Sequence, residues 1–299
     1  MNHIITLTSD WGVADNSLAI FKAHIFKALH DACLLDISHQ IMPFNVEMGA
    51  YLLASSYPFF PEGSIHMFDV DFHNTLQEQS YVRCKQKQKN VDVFFTDYLA
   101  VKYKGHYFLA KNNGFFSLLC DDINDIEEVV KLSKKTDDSR LKNFKAIAYF
   151  IHPLITLAQK HIPLTQLGEF YDKKCIELIK PRNPLIKKNN DSEEIVEFGV
   201  KYVDNYGNIV TDLHKSLFDR VAKGRKNLQI HIKGIENYKL TLVDSYDDVA
   251  RNDKLVLTFN HASYLEIASK YGRLAMVLDI TDPKIYDCRF RLTFKDTNT

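Results

Sequence analysis

Apolar residues in the first seventy positions form short runs separated by stretches with helical spacing. A run rich in β-branched residues at 4–7 is typical of a buried strand, and 33–37 and 64–70 predict two more strands. Between them, 17–29 and 46–56 place apolar residues on one face of a helix. Strand, helix, strand, helix, strand at this spacing predicts a mostly parallel sheet with right-handed crossovers.

The pattern from 72 to 160 is less regular. In 72–104, apolar residues are interleaved with lysine and glutamine, and we interpret this segment as an excursion or an extra hairpin. A further strand is predicted at 106–109, an edge element at 123–132 and a third long helix at 144–160.

A change of composition at 181–194 separates two predicted domains. Two prolines followed by a polar run of mixed charge are typical of a linker. Residues 1–180 before it are predicted to form an N-terminal, mostly parallel α/β sandwich domain. In 195–299 apolar residues recur with period two between turn residues, which predicts a C-terminal antiparallel β-barrel-like domain.

Composition limits the classes of partner. The 299 residues are 45% hydrophobic, which is enough for two cores. Lysine plus arginine and aspartate plus glutamate both number 38, so no net charge attracts nucleic acid or an anionic membrane. No apolar stretch reaches the ~20 residues that span a bilayer, and no secretory signal pattern precedes the first strand. We therefore expect a cytoplasmic protein that binds a small molecule, with no nucleic-acid or membrane partner.

Several common catalytic motifs are absent from the sequence. It contains no G-x-G-x-x-G, P-loop, G-x-S-x-G or H-E-x-x-H pattern. The five cysteines are scattered without a C-x-x-C pair, and no histidine pairs at i, i+4 with a nearby acid. We therefore expect neither a disulfide framework nor a metal site.

Polar residues follow the predicted strands where each one ends: Asp10, Ser38-His39, Asp71, Asn112-Asn113-Gly114 and 204–208. Ligands of open α/β sheets bind at the carboxyl ends of the strands. Asp10 has two interpretations. Its carboxylate accepts two hydrogen bonds from a vicinal diol such as a ribose, or it caps the helix that begins near Asp15.

Seven short motifs occur in a characteristic order: S-D-W-G, D-I-S-H, M-P-F-N-V-E-M-G-A, F-F-P-E-G-S-I-H, N-N-G, V-D-N-Y-G-N-I-V-T and F-N-H-A-S-Y-L-E-I-A. In this order the chain closely resembles the S-adenosylmethionine hydroxide adenosyltransferases, a family that also includes the bacterial fluorinase and chlorinase. The resemblance extends from the first strand to about Leu278.

The resemblance implies an architecture and a reaction. It implies a homotrimer in which S-adenosylmethionine lies between the N-terminal domain of one subunit and the C-terminal domain of a neighbour. Water or hydroxide attacks the ribose 5′ carbon, and the products are adenosine and L-methionine. S-adenosylmethionine is the substrate, and no cofactor is implied.

Carried over by position, the motifs assign substrate-binding roles. Asp10 holds the ribose hydroxyls, Phe44 lies over the ribose and methionine region, and Phe144 lines the reacting carbon. Asp204 and Asn208 hold the methionine amino and carboxylate groups.

Further positions complete this set: Asn113, Tyr206 beside the methionine, Tyr246 stacked on adenine, and Asn260 and His261 against the substrate. Each aromatic has core packing as its alternative interpretation, and Asn208 has a turn. We interpret Glu266 as a residue on the surface of a helix or strand, or as support behind the site.

The chain departs from the family in its water-activating residues. Asp71 matches the catalytic aspartate of an Asp-Arg-His set, but Phe72-His73-Asn74 replaces the glycine turn that follows it. Glu78 falls near the arginine position, with Arg83 the nearest arginine, and Ala146 stands at the histidine position. Asp71 alone, or His73, is then left to position the water.

Two alternatives to hydrolysis remain. The first is a weakened member that binds S-adenosylmethionine or adenosine without turnover, suggested by Ala146 and the absent glycine turn. The second is a halogenase, because the segment after Asp71 is long. The halide-binding serine position of the halogenases also falls at Ala146, which disfavours this alternative.

Overall fold

The computed structural model describes residues 4–71, 81–82, 97–135, 138–141, 143–159, 162–188, 194–222, 228–231, 241–248, 255–270, 272–280 and 288–294. The chain divides into two compact units, Met1–Pro181 and Arg182–Thr299. His73, Glu78 and Arg83 lie outside the described residues.

The N-terminal unit is built on a sheet with helices on both faces. Its strands are β1 Ile4–Ser9, β2 Cys33–Ser38, β3 Ile65–Asp69, β4 Tyr81–Val82, β5 Tyr98–Tyr103, β6 His106–Lys111, β7 Glu128–Leu132, β8 Gly168–Phe170 and β9 Leu178–Ile179. Its helices are α1 Ser17–Ala28, α2 Val46–Ser56, α3 Phe115–Leu119 and α4 Lys145–Gln159, with 3₁₀ turns at Tyr57–Phe59, Ile123–Asp125, Ser139–Leu141, Leu164–Gln166 and Lys173–Cys175.

Seven of these strands form one sheet in the order β2-β1-β3-β6-β5-β7-β8. β2, β1, β3 and β6 run parallel, which confirms the predicted α/β half. One face of the sheet packs against α1 and α4, and the other packs against α2 and α3. Burial on both faces explains why the central strands read as nearly continuous apolar runs.

The far side of the sheet is antiparallel. β5 and β6 form a hairpin with Lys104 and Gly105 at positive φ in the turn, and β6 confirms the strand predicted at 106–109. Most of the segment 72–104, interpreted as an excursion or an extra hairpin, lies outside the described residues. The prediction of an edge element at 123–132 is wrong, because β7 lies between β5 and β8. β8 pairs with the outer side of β7, and the two backbones approach closely at Gly168. A Cβ on Gly168 would lie 2.1 Å from the carbonyl oxygen of Lys131.

The C-terminal unit is a mostly antiparallel β structure. Its strands are β10 Leu185–Lys188, β11 Glu194–Val203, β12 Ile209–His214, β13 Leu228–His231, β14 Thr241–Leu242, β15 Leu255–Phe259, β16 Tyr264–Ser269 and β17 Arg289–Phe294. Its helices are α5 Lys215–Ala222 and α6 Leu274–Val277, with a 3₁₀ turn at Tyr246–Asp248. The order is β13-β17-β11-β12-β16-β15-β14, and β10 also pairs with β11.

One long strand connects the two parts of this second sheet. The first half of β11 pairs with β17 and its second half pairs with β12, with a register irregularity after Val200. Phe198 and Phe290 from one part share a core with Ile209 and Ile267 from the other. Strands from both parts therefore enclose one core, as in the predicted barrel-like domain.

The segment predicted as a linker contains a strand. β10 pairs antiparallel with the start of β11, and Leu185 and Ile186 are exposed. Backbone hydrogen bonds hold these residues at the edge of the sheet. Because their side chains are exposed, the sequence shows no alternation of apolar and polar residues that would predict the strand. No helix in the described part of the chain is long and apolar enough to cross a membrane.

Candidate functional site

Asp10 lies directly after β1, where it joins three segments of the N-terminal unit. Its Oδ2 accepts a 2.9 Å hydrogen bond from the backbone N–H of Phe44, in the loop between β2 and α2. The backbone of Asp71, after β3, also hydrogen-bonds to this carboxylate. Burial raises the pKa of Asp10 and outweighs these hydrogen bonds.

The alternative in which Asp10 caps α1 is wrong. The backbone N–H of Ser17, the first residue of α1, donates to Oδ1 of Asp15 at 2.8 Å. Asp10 instead accepts a hydrogen bond from the loop that carries Phe44.

Phe44 has an unusual backbone conformation for a residue with a side chain. Its φ is 67°, in the left-handed region that disfavours residues other than glycine and asparagine. The hydrogen bond to Asp10 holds its N–H, and Asn45 next to it caps α2 by accepting the N–H of Met48 at 2.9 Å. The ring is 40% exposed, so core packing does not account for it. Strain of this kind concentrates at ligand sites.

Asp71 forms an ion pair at the same end of the sheet. Its Oδ2 lies 2.8 Å from Nζ of Lys111, the last residue of β6. The Asp71 side chain is 57% exposed, whereas that of Lys111 is mostly buried. The ammonium also lies 5.7 Å from the centre of the Tyr98 ring. The carboxylate is thus presented to solvent while its partner is fixed in the sheet.

Phe144 and Asn113 lie in this unit and have different surroundings. The partly buried Phe144 ring meets Trp11 edge-on, with centroids 5.0 Å apart. Asn113 is buried and donates from Nδ2 to the carbonyl oxygen of Val70 at 2.9 Å. Ala146, which the motif resemblance matches to a histidine of the family, is buried in the core beside α1. This position therefore contributes no proton-transferring group.

Sequence reasoning missed Asp69 and Tyr98, whose pKa values the nearby charge of Asp71 helps to raise, and Trp11, which contacts Asp69. The indole N–H of Trp11 donates to Oδ2 of Asp69 at 3.1 Å, and burial raises the pKa of Asp69 to about 6. The sequence Asp69-Val70-Asp71 could have indicated Asp69. Two carboxylates that are two residues apart at the end of a strand lie on the same face of the sheet.

In the C-terminal unit, Asp204 and Asn208 form one turn. Oδ1 of Asp204 accepts the backbone N–H groups of Tyr206 and Asn208, and its Oδ2 accepts Nδ2 of Asn208 at 2.9 Å. Gly207 sits at a φ of 81°, and a Cβ there would lie 2.8 Å from Arg273. The turn interpretation of Asn208 is thus realised, and it fixes the Asp204 carboxylate beside an exposed Tyr206 ring.

Tyr246 and Glu266 form a hydrogen-bonded pair near this turn. The Tyr246 hydroxyl donates to Oε1 of Glu266, which is 8% exposed. Burial raises the pKa of both groups, and the charge of Asp204 raises both further. The surface interpretation of Glu266 is therefore wrong. It lies behind Tyr246, whose ring is partly exposed.

Asn260 and His261 lie in the loop between β15 and β16. Oδ1 of Asn260 accepts the backbone N–H groups of Ala262 and Tyr264, and Ser263 has a φ of 61°. The exposed His261 lies close enough to lower the pKa of Glu266. Three of the predicted residues of the C-terminal unit, Asp204, Tyr246 and His261, therefore lie close to Glu266.

Each unit thus holds one set of predicted residues. The described residues of the two units contain no group of three or more histidine, cysteine, aspartate or glutamate side chains arranged to hold a metal ion. The arrangement offers carboxylates for hydroxyl or ammonium groups and exposed aromatic rings for a flat or cationic ligand.

Solved structures with the same fold cover nearly the whole chain. An uncharacterized conserved protein from Thermotoga maritima matches with a TM-score of 0.72 at 21% identity, over 97% of this chain and 99% of that one. A conserved hypothetical protein from Thermus thermophilus matches with a TM-score of 0.61 at 18% identity, over 99% of this chain and 100% of that one.

Sequence comparison identifies the family. An (R)-S-adenosyl-L-methionine hydrolase of Methanocaldococcus jannaschii is 26% identical over 294 residues, 93% of this chain and 92% of the relative. A fluorinase of an Actinoplanes species is 23% identical over 92% of this chain and 93% of the relative. The profiles of the SAM hydroxide adenosyltransferase N-terminal and C-terminal domains match residues 5–91 and 198–283. The chain therefore belongs to the SAM hydroxide adenosyltransferase family.

Proposed function

We propose that the protein hydrolyses S-adenosyl-L-methionine to adenosine and L-methionine by attack of water at the ribose 5′ carbon. The observation that carries the proposal is the Asp10 carboxylate, held by the N–H of Phe44 beside an exposed aromatic ring. A carboxylate in this position accepts both hydroxyls of a ribose. The hydrolase of Methanocaldococcus jannaschii, at 26% identity, supports the same reaction.

The chemistry of a sulfonium suits such a site. Its positive charge is lost as methionine leaves, so a site that excludes water favours departure. Aromatic faces stabilise the cation by ~0.5 to 2 kcal/mol. Holding water, carbon and sulfur in line supplies further acceleration through positioning. In this proposal Phe44 and Phe144 surround the reacting centre, and Asp71 helps to orient the water.

The C-terminal residues bind the rest of the substrate in this proposal. Asp204 and Asn208 hold the methionine amino and carboxylate groups beside Tyr206, and Tyr246 stacks on adenine near Asn260 and His261. We propose that these residues come from a neighbouring subunit of a homotrimer in the cytoplasm, with no cofactor. Light scattering on the purified protein measures the number of subunits, and activity that persists in EDTA excludes a required metal.

The test is product analysis in H₂¹⁸O. Purified protein is incubated with the (S) and (R) sulfonium epimers separately, because the relative's name specifies (R). We expect adenosine that carries ¹⁸O at the 5′ position and methionine that carries none. The absence of adenosine above the spontaneous background at high protein concentration would contradict the proposal. A 5′-halogenated nucleoside formed in chloride or fluoride would assign the protein to the halogenases instead.

A second candidate function is binding without turnover. The observation that favours it is the buried Ala146, which the motif resemblance matches to the family's histidine. Calorimetry that detects binding of S-adenosylmethionine or adenosine, with no product formed, would support this function over hydrolysis. The absence of binding would contradict both functions.

A further inference from the structure

Three buried polar atoms without hydrogen-bond partners among the described residues belong to residues at one end of the N-terminal sheet. They are Oδ1 of Asp69, the hydroxyl of Tyr98 and Oδ1 of Asn113, and none has a hydrogen-bond partner in the described part of the chain. Tyr98 and Asn113 are almost fully buried as residues. Buried polar groups are nearly always hydrogen-bonded in native proteins, so such atoms indicate a place for a ligand or water.

The sheet register places these residues at the same end of neighbouring strands. Asp69 ends β3, Tyr98 begins β5, and Asn113 follows β6, the strand between them. Phe68 pairs with Ala110 and Tyr98 pairs with Lys111, so Asp69 and Tyr98 flank Lys111. Adjacent strands lie about 4.8 Å apart, so the two side chains stand within about 10 Å of each other.

One carboxylate oxygen of Asp69 is hydrogen-bonded, and the other has no hydrogen-bond partner among the described residues. The indole N–H of Trp11 donates to Oδ2 at 3.1 Å, which leaves Oδ1 without a partner among the described residues. Asp10 and Asp71 place negative charge nearby, and Lys111 places positive charge. Because burial is the largest influence, the pKa of Asp69 is raised to about 6, a value suited to accepting a proton near neutral pH.

We propose that Asp69, Tyr98 and Asn113 bind the nucleophilic water and that Oδ1 of Asp69 takes its proton. This inference rests on the proposed hydrolysis. The water oxygen forms a bond to the ribose 5′ carbon as the carbon–sulfur bond breaks, and the bonding pair leaves with sulfur as the thioether of methionine. The proton moves from water to Asp69 and then to solvent, so atoms and charge balance.

Asp69 suits this step better than Asp71 does. The Asp71 side chain is more than half exposed, and its carboxylate already pairs with the Lys111 ammonium at 2.8 Å. Asp69 is more deeply buried, and it lies near enough to Tyr98 for its charge to raise the pKa of that hydroxyl. With alanine at the family's histidine position, Asp69 supplies a proton acceptor that the family motif does not include.

The protonation of Asp69 can be followed without turnover, because its carboxylate accepts a hydrogen bond from the indole of Trp11. Trp11 is the only tryptophan in the sequence, so tryptophan fluorescence comes from this indole alone. We expect its fluorescence to change with a midpoint near pH 6, and we expect Asp69→Asn to remove this transition. Asp71→Asn is the matched control and should keep it. Tyr98, with Tyr149 stacked on its ring, titrates far above this range because burial raises its pKa.

His39 is another titratable group close to Trp11, as is Asp10, which precedes Trp11 in the chain. The His39 ring lies 6.2 Å from the indole, and burial lowers its pKa. The titration is therefore repeated in His39→Gln, where the transition near pH 6 should remain. A transition that persists unchanged in Asp69→Asn would overturn the inference.

The kinetic arm measures what Asp69 does in the reaction. In the wild-type protein kcat should fall on the acid side with an apparent pKa near 6. Asp69→Asn should lower kcat about 100-fold, abolish this acid limb and leave the Kd for S-adenosylmethionine within threefold. Tyr98→Phe should lower kcat and retain the limb. Trp11→Phe, which removes the hydrogen bond that favours the ionised carboxylate, should move the limb to higher pH.

The outcomes separate this inference from the proposed function. If the wild-type protein forms no adenosine, the proposed function and the catalytic step both fail. If the wild-type protein is active and Asp69→Asn keeps its kcat and its acid limb, only the inference fails. If Asp69→Asn does not fold, a limb that stays in place in Trp11→Phe overturns the inference.

Discussion

The backbone N–H of Phe44 donates a 2.9 Å hydrogen bond to Oδ2 of Asp10, and Phe44 adopts a φ of 67°. The two residues are 34 positions apart, so this contact joins the end of β1 to the loop after β2. The carboxylate that we assign to the ribose therefore also holds the aromatic residue that we place over it.

Asp10→Ala should abolish binding of adenosine and S-adenosylmethionine. Two hydroxyl groups lose a charged acceptor, and a hydrogen bond to a charged group contributes about 1.5–3 kcal/mol. Affinity measured by calorimetry should therefore fall at least 100-fold. Asp15→Ala, which removes only the contact with the start of α1, is the control and should bind normally. Equal affinities of Asp10→Ala and wild type would contradict the ribose assignment.

Phe44→Gly should be more stable than Phe44→Ala. Both variants remove the ring, but only glycine adopts a positive φ without strain, and the left-handed conformation costs about 1–2 kcal/mol for other residues. The difference in unfolding free energy, measured with urea, should be about 1 kcal/mol in favour of glycine. If alanine is equally stable, the loop does not hold this conformation in solution.

Tyr246→Phe should destabilise the C-terminal unit by about 1–3 kcal/mol. The substitution removes the hydroxyl that donates to Glu266 and leaves a buried carboxylate without that partner. A double-mutant cycle with Glu266→Gln should show coupling between the two positions. Adenosine affinity should fall more in Tyr246→Ala than in Tyr246→Phe, because phenylalanine keeps the stacking ring. Additive effects in the cycle would show that the pair does not interact.

Stability should fall in acid because of a histidine pair in the N-terminal core. Oγ1 of Thr6 lies 2.7 Å from Nδ1 of His66, and Nε2 of His66 lies 3.2 Å from Nδ1 of His106. Burial lowers the pKa of His66 to about 3, well below its unfolded value of 6.5. Between these values the unfolded chain binds a proton that the folded chain does not, so the unfolding free energy falls as pH decreases below 6.5.

The magnitude is about 1.4 kcal/mol per pH unit for this group, or about 2 kcal/mol between pH 6.5 and 5. Urea unfolding at several pH values measures it. His66→Gln should flatten this dependence, whereas substitution of the exposed His30 by glutamine should not. The same slope in wild type and His66→Gln would contradict the assignment.

The parallel half of the fold could be predicted from sequence because its signals are local. β1, β2 and β3 are apolar runs that alternate with amphipathic helices. β8 and β10 could not be predicted, since each lies at an edge of a sheet and Phe170 and Leu185 are exposed. Backbone pairing alone defines such strands, and it leaves no hydrophobic pattern.

Some residues of the candidate site could likewise be predicted from local sequence, and others could not. Asp10 and Asp204 follow strands directly, so their position in sequence indicates their place at a strand end. Asp69 gains its importance from Tyr98, which is 29 positions away and comes near only through the register of β3, β6 and β5. Local sequence favours a surface position for Glu266 because its hydrogen-bond partner, the Tyr246 hydroxyl, is 20 positions away in the sequence.

β11 contributes its first half to one part of the C-terminal sheet and its second half to the other. Near Gly199 the strand changes its pairing partner, so a proline there would remove backbone hydrogen bonds between strands on which both parts of the sheet depend. Such a substitution should destabilise both parts together. The whole C-terminal unit is thus expected to melt as a single cooperative body, carrying the Asp204 turn and the Tyr246–Glu266 pair with it.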